Sequence, residues 1–590
     1  MSVHEGNRPI EASNENTDLN SHTEEVHEGK KPFNCSICAK TLATNCELKN
    51  HVASVHQEKK FNFTFVNAVS IAKIIKGLNN TSSLGIDKIP SAAWKMGVEV
   101  LAGAVAKVIN LSLSTGKVPN LFKSALVHPI YKSGKDPRSP GSYRPVSILP
   151  ALSKILETVV KDSLLKWLDD HNLLPDSQSG FRPNRSAAMA LICSQADWMA
   201  AKSRGEAVAI LAFDLSAAFD TIGIEPLTRK LEAAGISGTP LKWMQSYMSD
   251  RSQSVIWNNH TSSPLSLTHG VPQGSILGPL LFLIMVADLP SYVTHGYESV
   301  INAKMMCYAD DSTLDASSKC VHTLQNGLAK MSEQMLSYCK QVGLVINSDK
   351  TQLLVSGVKS VGFSVKVGSD IVYPSKELCL LGITYDSNLS TTPYLEQLAN
   401  EAKTRSSMIA RLSYSVPPHL LKILTNGLLV GKVMAAAPAA IPCRISSSDK
   451  GAITVMEKID LAIKSAARVI TRTRLKDRLR SETVLQRAGL TCLNEMVASA
   501  SALMVWKSKR CMNPLGSLLF PPKVENPISK MELRSSNSDK AKLPVPGYNT
   551  LAANILARIW NEAPKLQHAS SVGAAKSAAH EWARTLKFNL

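Results

Sequence analysis

Two strongly apolar runs in this 590-residue chain each end on bare carboxylates, and this limits the fold more than any other feature. Ala209-Ile210-Leu211-Ala212-Phe213 leads into Asp214, and Met305-Met306-Cys307-Tyr308-Ala309 leads into the adjacent pair Asp310-Asp311. Short apolar runs of this kind read as buried strands. A carboxylate closing a buried strand is costly unless it is paired or holds a cation. Neighbouring aspartates also repel one another. Three such groups from two strands suit two Mg2+ ions about 3.5–4 Å apart, an arrangement for in-line displacement at phosphorus. Taken alone, the Asp310-Asp311 dipeptide reads more readily as a solvated turn.

It does not stand alone. Between the two runs lies Gly270-Val271-Pro272-Gln273-Gly274-Ser275-Ile276-Leu277-Gly278-Pro279. Glycine-rich backbone admits a flat base or nucleotide at close range, and Gln273 offers an amide there. In this order, Phe213-Asp214 to Phe219-Asp220, the Pro272-Gln273-Gly274 loop and Tyr308-Ala309-Asp310-Asp311 resemble motifs A, B and C of reverse transcriptases. Ser216-Ala217-Ala218-Phe219-Asp220 and Gly274-Ser275-Ile276-Leu277-Gly278-Pro279 resemble the non-LTR (LINE-type, jockey-like) retrotransposon branch. Val127 to Lys132, Ser142 to Ser147 and Gln178-Ser179-Gly180-Phe181-Arg182 resemble its fingers motifs. Gly343 to Thr351 resembles motif D, and Leu380-Leu381-Gly382-Ile383 with Asp386 resembles the primer-grip hairpin. Leu543-Pro544-Val545-Pro546 and Ile559-Trp560-Asn561 resemble the closing segment of jockey-like elements.

The resemblance implies an RNA-directed DNA polymerase that extends a DNA 3'-end on an RNA template with dNTPs. Asp214 and Asp310 would ligate two Mg2+ ions (or Mn2+), with Asp311 a third carboxylate nearby. Lys132 and Arg144 would contact the triphosphate, as would the backbone at Leu215. Phe219 would be the steric gate against a ribose 2'-hydroxyl, a core-packing role being compatible with that. Gln273 would sit near the template. Lys350 reads either as a general acid for pyrophosphate or as a surface cation. The resemblance also implies an endonuclease domain ahead of the polymerase. Only about 60 residues precede it here, so nicking is expected from elsewhere or the copy is truncated. The competing reading is a catalytically silent, nucleic-acid-binding remnant or a domesticated zinc-finger protein.

Those preceding residues carry Cys35-x2-Cys38-x12-His51-x4-His56, the ligand count and spacing of a Zn2+ site. The expected unit is a small ββα zinc finger at 31–57, dependent on Zn2+ for its folding. A single finger reads about three base pairs, which makes it an accessory to nucleic-acid or protein binding.

Lys and Arg number 66 and Asp and Glu 47, a net charge of +19, which favours a polyanionic partner. Residues 401–510 hold 19 of the basic residues against 7 acidic ones, whereas residues 1–30 are acidic. The expected fold is an α/β right-handed polymerase. Its parts are a disordered tail at 1–30, the finger at 31–57, fingers and palm at 61–390, a basic helical thumb at 391–510, and a linker with a helical C-terminal region at 511–590. The palm should be a small antiparallel sheet backed by helices. Arg472 to Arg480 reads as an import signal or, preferably, a thumb helix. The longest apolar run, Ile276 to Leu289, is short and broken by Gly278, Pro279 and Asp288, so no membrane partner is expected. No secretory leader is evident at Met1-Ser2-Val3. Eleven mostly isolated cysteines fit reduced thiols. Nuclear action after cytoplasmic synthesis, with an RNA-bound particle, follows from the family alone.

Overall fold

The computed structural model describes residues 33–34, 41–42, 60–80, 84–216, 218–297, 301–357, 362–445, 453–511, 513–521, 540–541, 544 and 551–586. The four expected zinc ligands, Cys35, Cys38, His51 and His56, lie outside the described residues. Of that segment the structure describes a two-strand antiparallel hairpin, Phe33–Asn34 paired with Thr41–Leu42. These strands bracket both cysteines. Among the described residues all eight cysteines are free thiols.

The described residues form a mixed α/β chain that divides into two compact units. The first takes residues up to Arg144, Ile148–Leu173 and Ile224–Thr268. Its helix Val98–Thr115 turns Ala102, Val105, Ala106, Ile109 and Leu113 inward at three- and four-residue spacing, which makes one continuous buried stripe. Gly116, at φ 68, ends that helix in the left-handed conformation that glycine adopts without strain. This helix is also long and apolar enough to cross a membrane by length and composition, as core helices of soluble proteins are too. Aromatic rings close the same core: Phe61 meets Trp167, and Phe63 meets Trp243, which stacks on Tyr247. The sheet of this unit places Ser124–Tyr131 parallel to Arg251–Trp257.

The second unit takes Pro145–Ser147, Leu174–Gly223 and His269–Leu590. At its centre is a four-stranded antiparallel sheet in the order Val345–Ser356, Ala207–Ser216, Asp311–Ser318, Asn302–Tyr308. The Asp214 and Asp311 strands are therefore the two central ones. Both carry unbroken buried residues (Ala207 to Leu211 and Ser312 to Ser317), because helices cover the sheet. The helix Ala187–Ser203 packs Leu191, Ile192 and Trp198 into the same core as Val208, Ile210 and Leu354 of the strands.

That core continues without a break into the helices after residue 391. Leu395, Leu398, Ile459, Ile463, Val497 and Val505 belong to it, and so do Ile555, Leu556, Ile559 and Trp560 near the C-terminus. Two details differ from the sequence reading. A helix, Pro514–Leu519, stands where an extended linker was expected; Asn513 caps it by accepting from the Gly516 N–H, and Leu515 and Leu519 are buried. The basic run at 472–480 is not a thumb helix. It is an exposed connection containing the short turn Leu475–Asp477, with Arg472 at φ 53 and Arg478 at φ 49, between helices ending at Thr471 and starting at Ser481. Five like charges in nine residues disfavour a helix that would line them up.

Candidate active site

Register brings the carboxylates together. Ser312 pairs with Phe213 across the two central strands, so Asp214 and Asp311 flank that pair at the same end of the sheet. Asp311 also pairs with Tyr308, which leaves Ala309 and Asp310 as a two-residue loop between the last two strands. The three acids interact electrostatically. Burial, then the Asp214 charge, raises the Asp310 carboxyl above the ordinary aspartate value; burial, then the charges of Asp310 and Asp214, raises Asp311 likewise. Mutual repulsion in a partly desolvated place is what a cation relieves.

Lys350 joins this group through a strand irregularity. Its strand pairs Asn347 with Asp214 but Gln352 with Ala212, so residues 348–351 bulge opposite Phe213 alone. Bulges re-aim side chains. Here the Lys350 Nζ lies 3.1 Å from the Asp214 Oδ2, as an ion pair with both partners part-exposed. Before any substrate binds, the ammonium thus supplies some of the missing positive charge.

The Gly270-to-Pro279 loop is fastened to both neighbours. Gly270 N–H donates to the Ile222 carbonyl at 2.8 Å and Val271 N–H to the Phe219 carbonyl at 2.9 Å. Ser147 N–H donates to the Gln273 carbonyl at 2.7 Å, which holds the Gln273 backbone and leaves its side chain half-buried. Gly274 has φ 112, and a Cβ on it would stand 2.8 Å from the Ser147 oxygen. Only glycine fits there. The Phe219 ring packs against Phe282 at 5.2 Å and Phe181 at 6.2 Å between centroids, and remains half-buried. Leu215 keeps its side chain in the core and its backbone beside Ile346.

Lys132 and Arg144 belong to the first unit. Lys132 donates from Nζ to the Gly141 carbonyl at 3.1 Å and from its backbone N–H to the Ser142 carbonyl at 2.8 Å, while Arg144 is exposed. Asp214, Asp310, Asp311, Lys350, Gln273 and Phe219 are gathered in the second unit.

In sequence, Gln178 to Arg182 reads as a fingers motif alongside those of Lys132 and Arg144, with no individual role for its residues. The structure places it in the second unit, against the strand that leads to Asp310. Cys307 N–H donates to the Ser177 carbonyl at 2.9 Å and Ser179 N–H to the Cys307 carbonyl at 2.8 Å. Arg182 donates to the Pro175 carbonyl at 2.7 Å. No periodicity in the sequence announces such a pairing. Asp315 was missed too. It is buried on the strand that begins at Asp311, accepts from the Trp198 indole at 3.0 Å, and is pushed up to about 7 by burial.

The donors around the loop are hard carboxylate oxygens, the kind that Mg2+ prefers. Among the described residues no group of three or more His, Cys, Asp or Glu side chains stands close enough together to hold a metal ion by itself. A cation held here would draw further oxygens from substrate or water, which is usual for Mg2+.

Comparison with known proteins covers this same stretch. Residues 130–383 match the reverse transcriptase (RNA-dependent DNA polymerase) family. The probable RNA-directed DNA polymerase from transposon BS of Drosophila melanogaster is 29% identical over 350 residues, 58% of this chain and 38% of that protein. The RNA-directed DNA polymerase from mobile element jockey of the same organism is 26% identical over 315 residues, 53% of this chain and 34% of that protein. The probable RNA-directed DNA polymerase from transposon X-element is 23% identical over 376 residues, 64% and 41% respectively. The chain thus spans between a third and about two fifths of the length of these relatives. Every candidate site residue named above, from Lys132 to Lys350, falls inside the matched stretch, and over residues 130–383 the chain is similar to the reverse transcriptases of these non-LTR retrotransposons.

Proposed function

We propose that the chain is an RNA-directed DNA polymerase that adds dNTPs to a DNA 3'-end on an RNA template. The observation that carries this reading is the meeting of Asp214, Asp310 and Asp311 at one end of the two central strands. Asp214 and Asp310 would hold the divalent cations, with Asp311 beside them. Such cations, when bound, lower the pKa of an attacking hydroxyl and neutralise charge on departing pyrophosphate. The chain's own residues do the rest. Lys350, already at Asp214, holds the proton that pyrophosphate needs on leaving. Phe219, packed against Phe181 and Phe282, occludes a ribose 2'-hydroxyl. Gln273, on a loop fastened at both ends, sits near the template. Lys132 and Arg144 contact the triphosphate, Arg144 with the capacity for two parallel hydrogen bonds. The cationic surface of 391–510 grips template and primer phosphates without reading sequence.

The test is primer extension with an annealed RNA template and DNA primer, dNTPs, and either Mg2+ or EDTA. Mg2+-dependent extension by the wild type and none by Asp310→Asn, with duplex binding retained in both, is expected. Folded protein that binds the duplex without extending it would instead support a silent nucleic-acid-binding remnant.

The same proposal gives residues 31–57 the role of an accessory Zn2+ finger with Cys35, Cys38, His51 and His56 as ligands. The hairpin that brackets the two cysteines supports it. One Zn2+ per chain by elemental analysis, lost in Cys38→Ser, is the expected result. Nuclear action completes the reading, and imaging of tagged protein tests it.

A further inference from the structure

We propose that Gln178 is a positioning residue for the Asp310 carboxylate, an inference that rests on the polymerase reading above. The loop that carries Asp310 has Ala309 in its first position and Asp310 in its second. Ala309 has φ 59, and Asp310 is not among the positive-φ residues. Positive φ at the first of two loop positions alone marks a II′ turn, where glycine is the usual occupant. An L side chain is strained there. Something outside the turn must therefore hold it.

Gln178 supplies that hold. It is 2% exposed, and its Oε1 accepts two backbone hydrogen bonds, from Ala309 N–H at 3.1 Å and from Gly180 N–H at 3.1 Å. The Ala309 amide is one residue from Asp310. Gly180 permits the approach: a Cβ on it would stand 2.2 Å from the Ala309 nitrogen. The Gln178 backbone is fixed in turn. Its flanks pair with Cys307, and the Arg185 guanidinium donates to the Asp176 carbonyl at 2.6 Å, to the Gln178 carbonyl at 3.3 Å and to the Asp176 Oδ1 at 2.6 Å. A buried neutral acceptor thus reaches the strained amide from outside the central sheet. It restrains the backbone that aims Asp310 without adding another negative charge to three carboxylates that already repel one another.

Gln178→Met keeps the length and burial of the side chain and removes the acceptor. Two readouts separate positioning from packing. The first is Mn2+ binding to the free protein, followed by electron paramagnetic resonance and counted for the sites that Asp310→Asn abolishes. The second is the dependence of kcat on the residue at 309. Gln178→Met should weaken that Mn2+ binding about tenfold and lower kcat about tenfold, with duplex affinity within twofold of wild type; tenfold corresponds to about 1.4 kcal/mol, the scale of one hydrogen bond. In an Ala309→Gly background the same substitution should cost less than about threefold, because glycine adopts positive φ without support. Unchanged Mn2+ affinity, or an equal cost in both backgrounds, overturns the inference. A wild type that fails to extend primers refutes the polymerase reading instead, and the Mn2+ measurement still decides the role of Gln178. Should Gln178→Met not fold, Gly180→Ala tests the same contact: it leaves the amide in place but drives a Cβ into the Ala309 backbone. Loss of Mn2+ affinity is expected there, and an unaltered affinity overturns the inference.

Discussion

Replacing Asp315 with asparagine should make the protein more resistant to unfolding at pH 8 than the wild type, and much less so at pH 5. Asp315 is 7% exposed, and its Oδ2 accepts from Trp198 while its Oδ1 has no hydrogen-bond partner among the described residues. The charged groups that face it are Asp197 and Lys304, themselves paired at 2.7 Å, so they bring little net charge. Burial moves its carboxyl from 3.8 to about 7. The folded state therefore binds a proton that the unfolded state releases, throughout the interval from about 4 to 7. Stability falls as pH rises through that interval and levels off above the folded value. Between pH 5 and pH 8 this one group removes about 2–3 kcal/mol, from 1.36 kcal/mol per pH unit over the part of the interval crossed. Asparagine keeps an acceptor for Trp198 and never ionises. Calorimetric melting of both proteins at the two pH values, read as the difference of differences, cancels every other titrating group. Equal pH dependence in wild type and Asp315→Asn would refute the reasoning, because it would mean that Asp315 ionises as freely when folded as when unfolded.

Three other outcomes are expected. Lys350→Ala should change melting by less than about 1 kcal/mol, since its pair with Asp214 is part-exposed, yet lower kcat for extension at least about 100-fold; a kcat near wild type would make Lys350 a surface cation. Gly274→Ala should destabilise by about 1–3 kcal/mol through positive φ, with the Cβ driven at the Ser147 oxygen, and should raise the dNTP KM; denaturant titration and steady-state kinetics check both. Phe219→Ala should admit ribonucleotides, read as the ratio of rNTP to dNTP incorporation, and Phe181→Ala should do so more weakly because it removes one of the two rings that prop the gate.

Much of the site was legible in the linear chain because its chemistry is local. Asp214, Asp310 and Asp311 announce themselves where apolar runs end in charge, and the glycines of the 270–279 loop mark a close approach. The strands that carry the acids were equally readable, because buried strands have a short-range apolar signature. What the sequence alone determined was thus the kind of site and the residues at its centre. It did not determine how that centre is held. Hydrogen bonds such as Gln178 to Ala309, 131 positions apart, depend on which segments pair in space, and no period in the chain encodes that. The aim of Lys350 depends on a bulge that exists only relative to its partner strand. The apolar faces of 551–586 were readable, but that they join the core of the second unit was decided only by tertiary packing. Composition and local order chose the reactive groups; only the tertiary pairing of distant backbone decided which atoms restrain them.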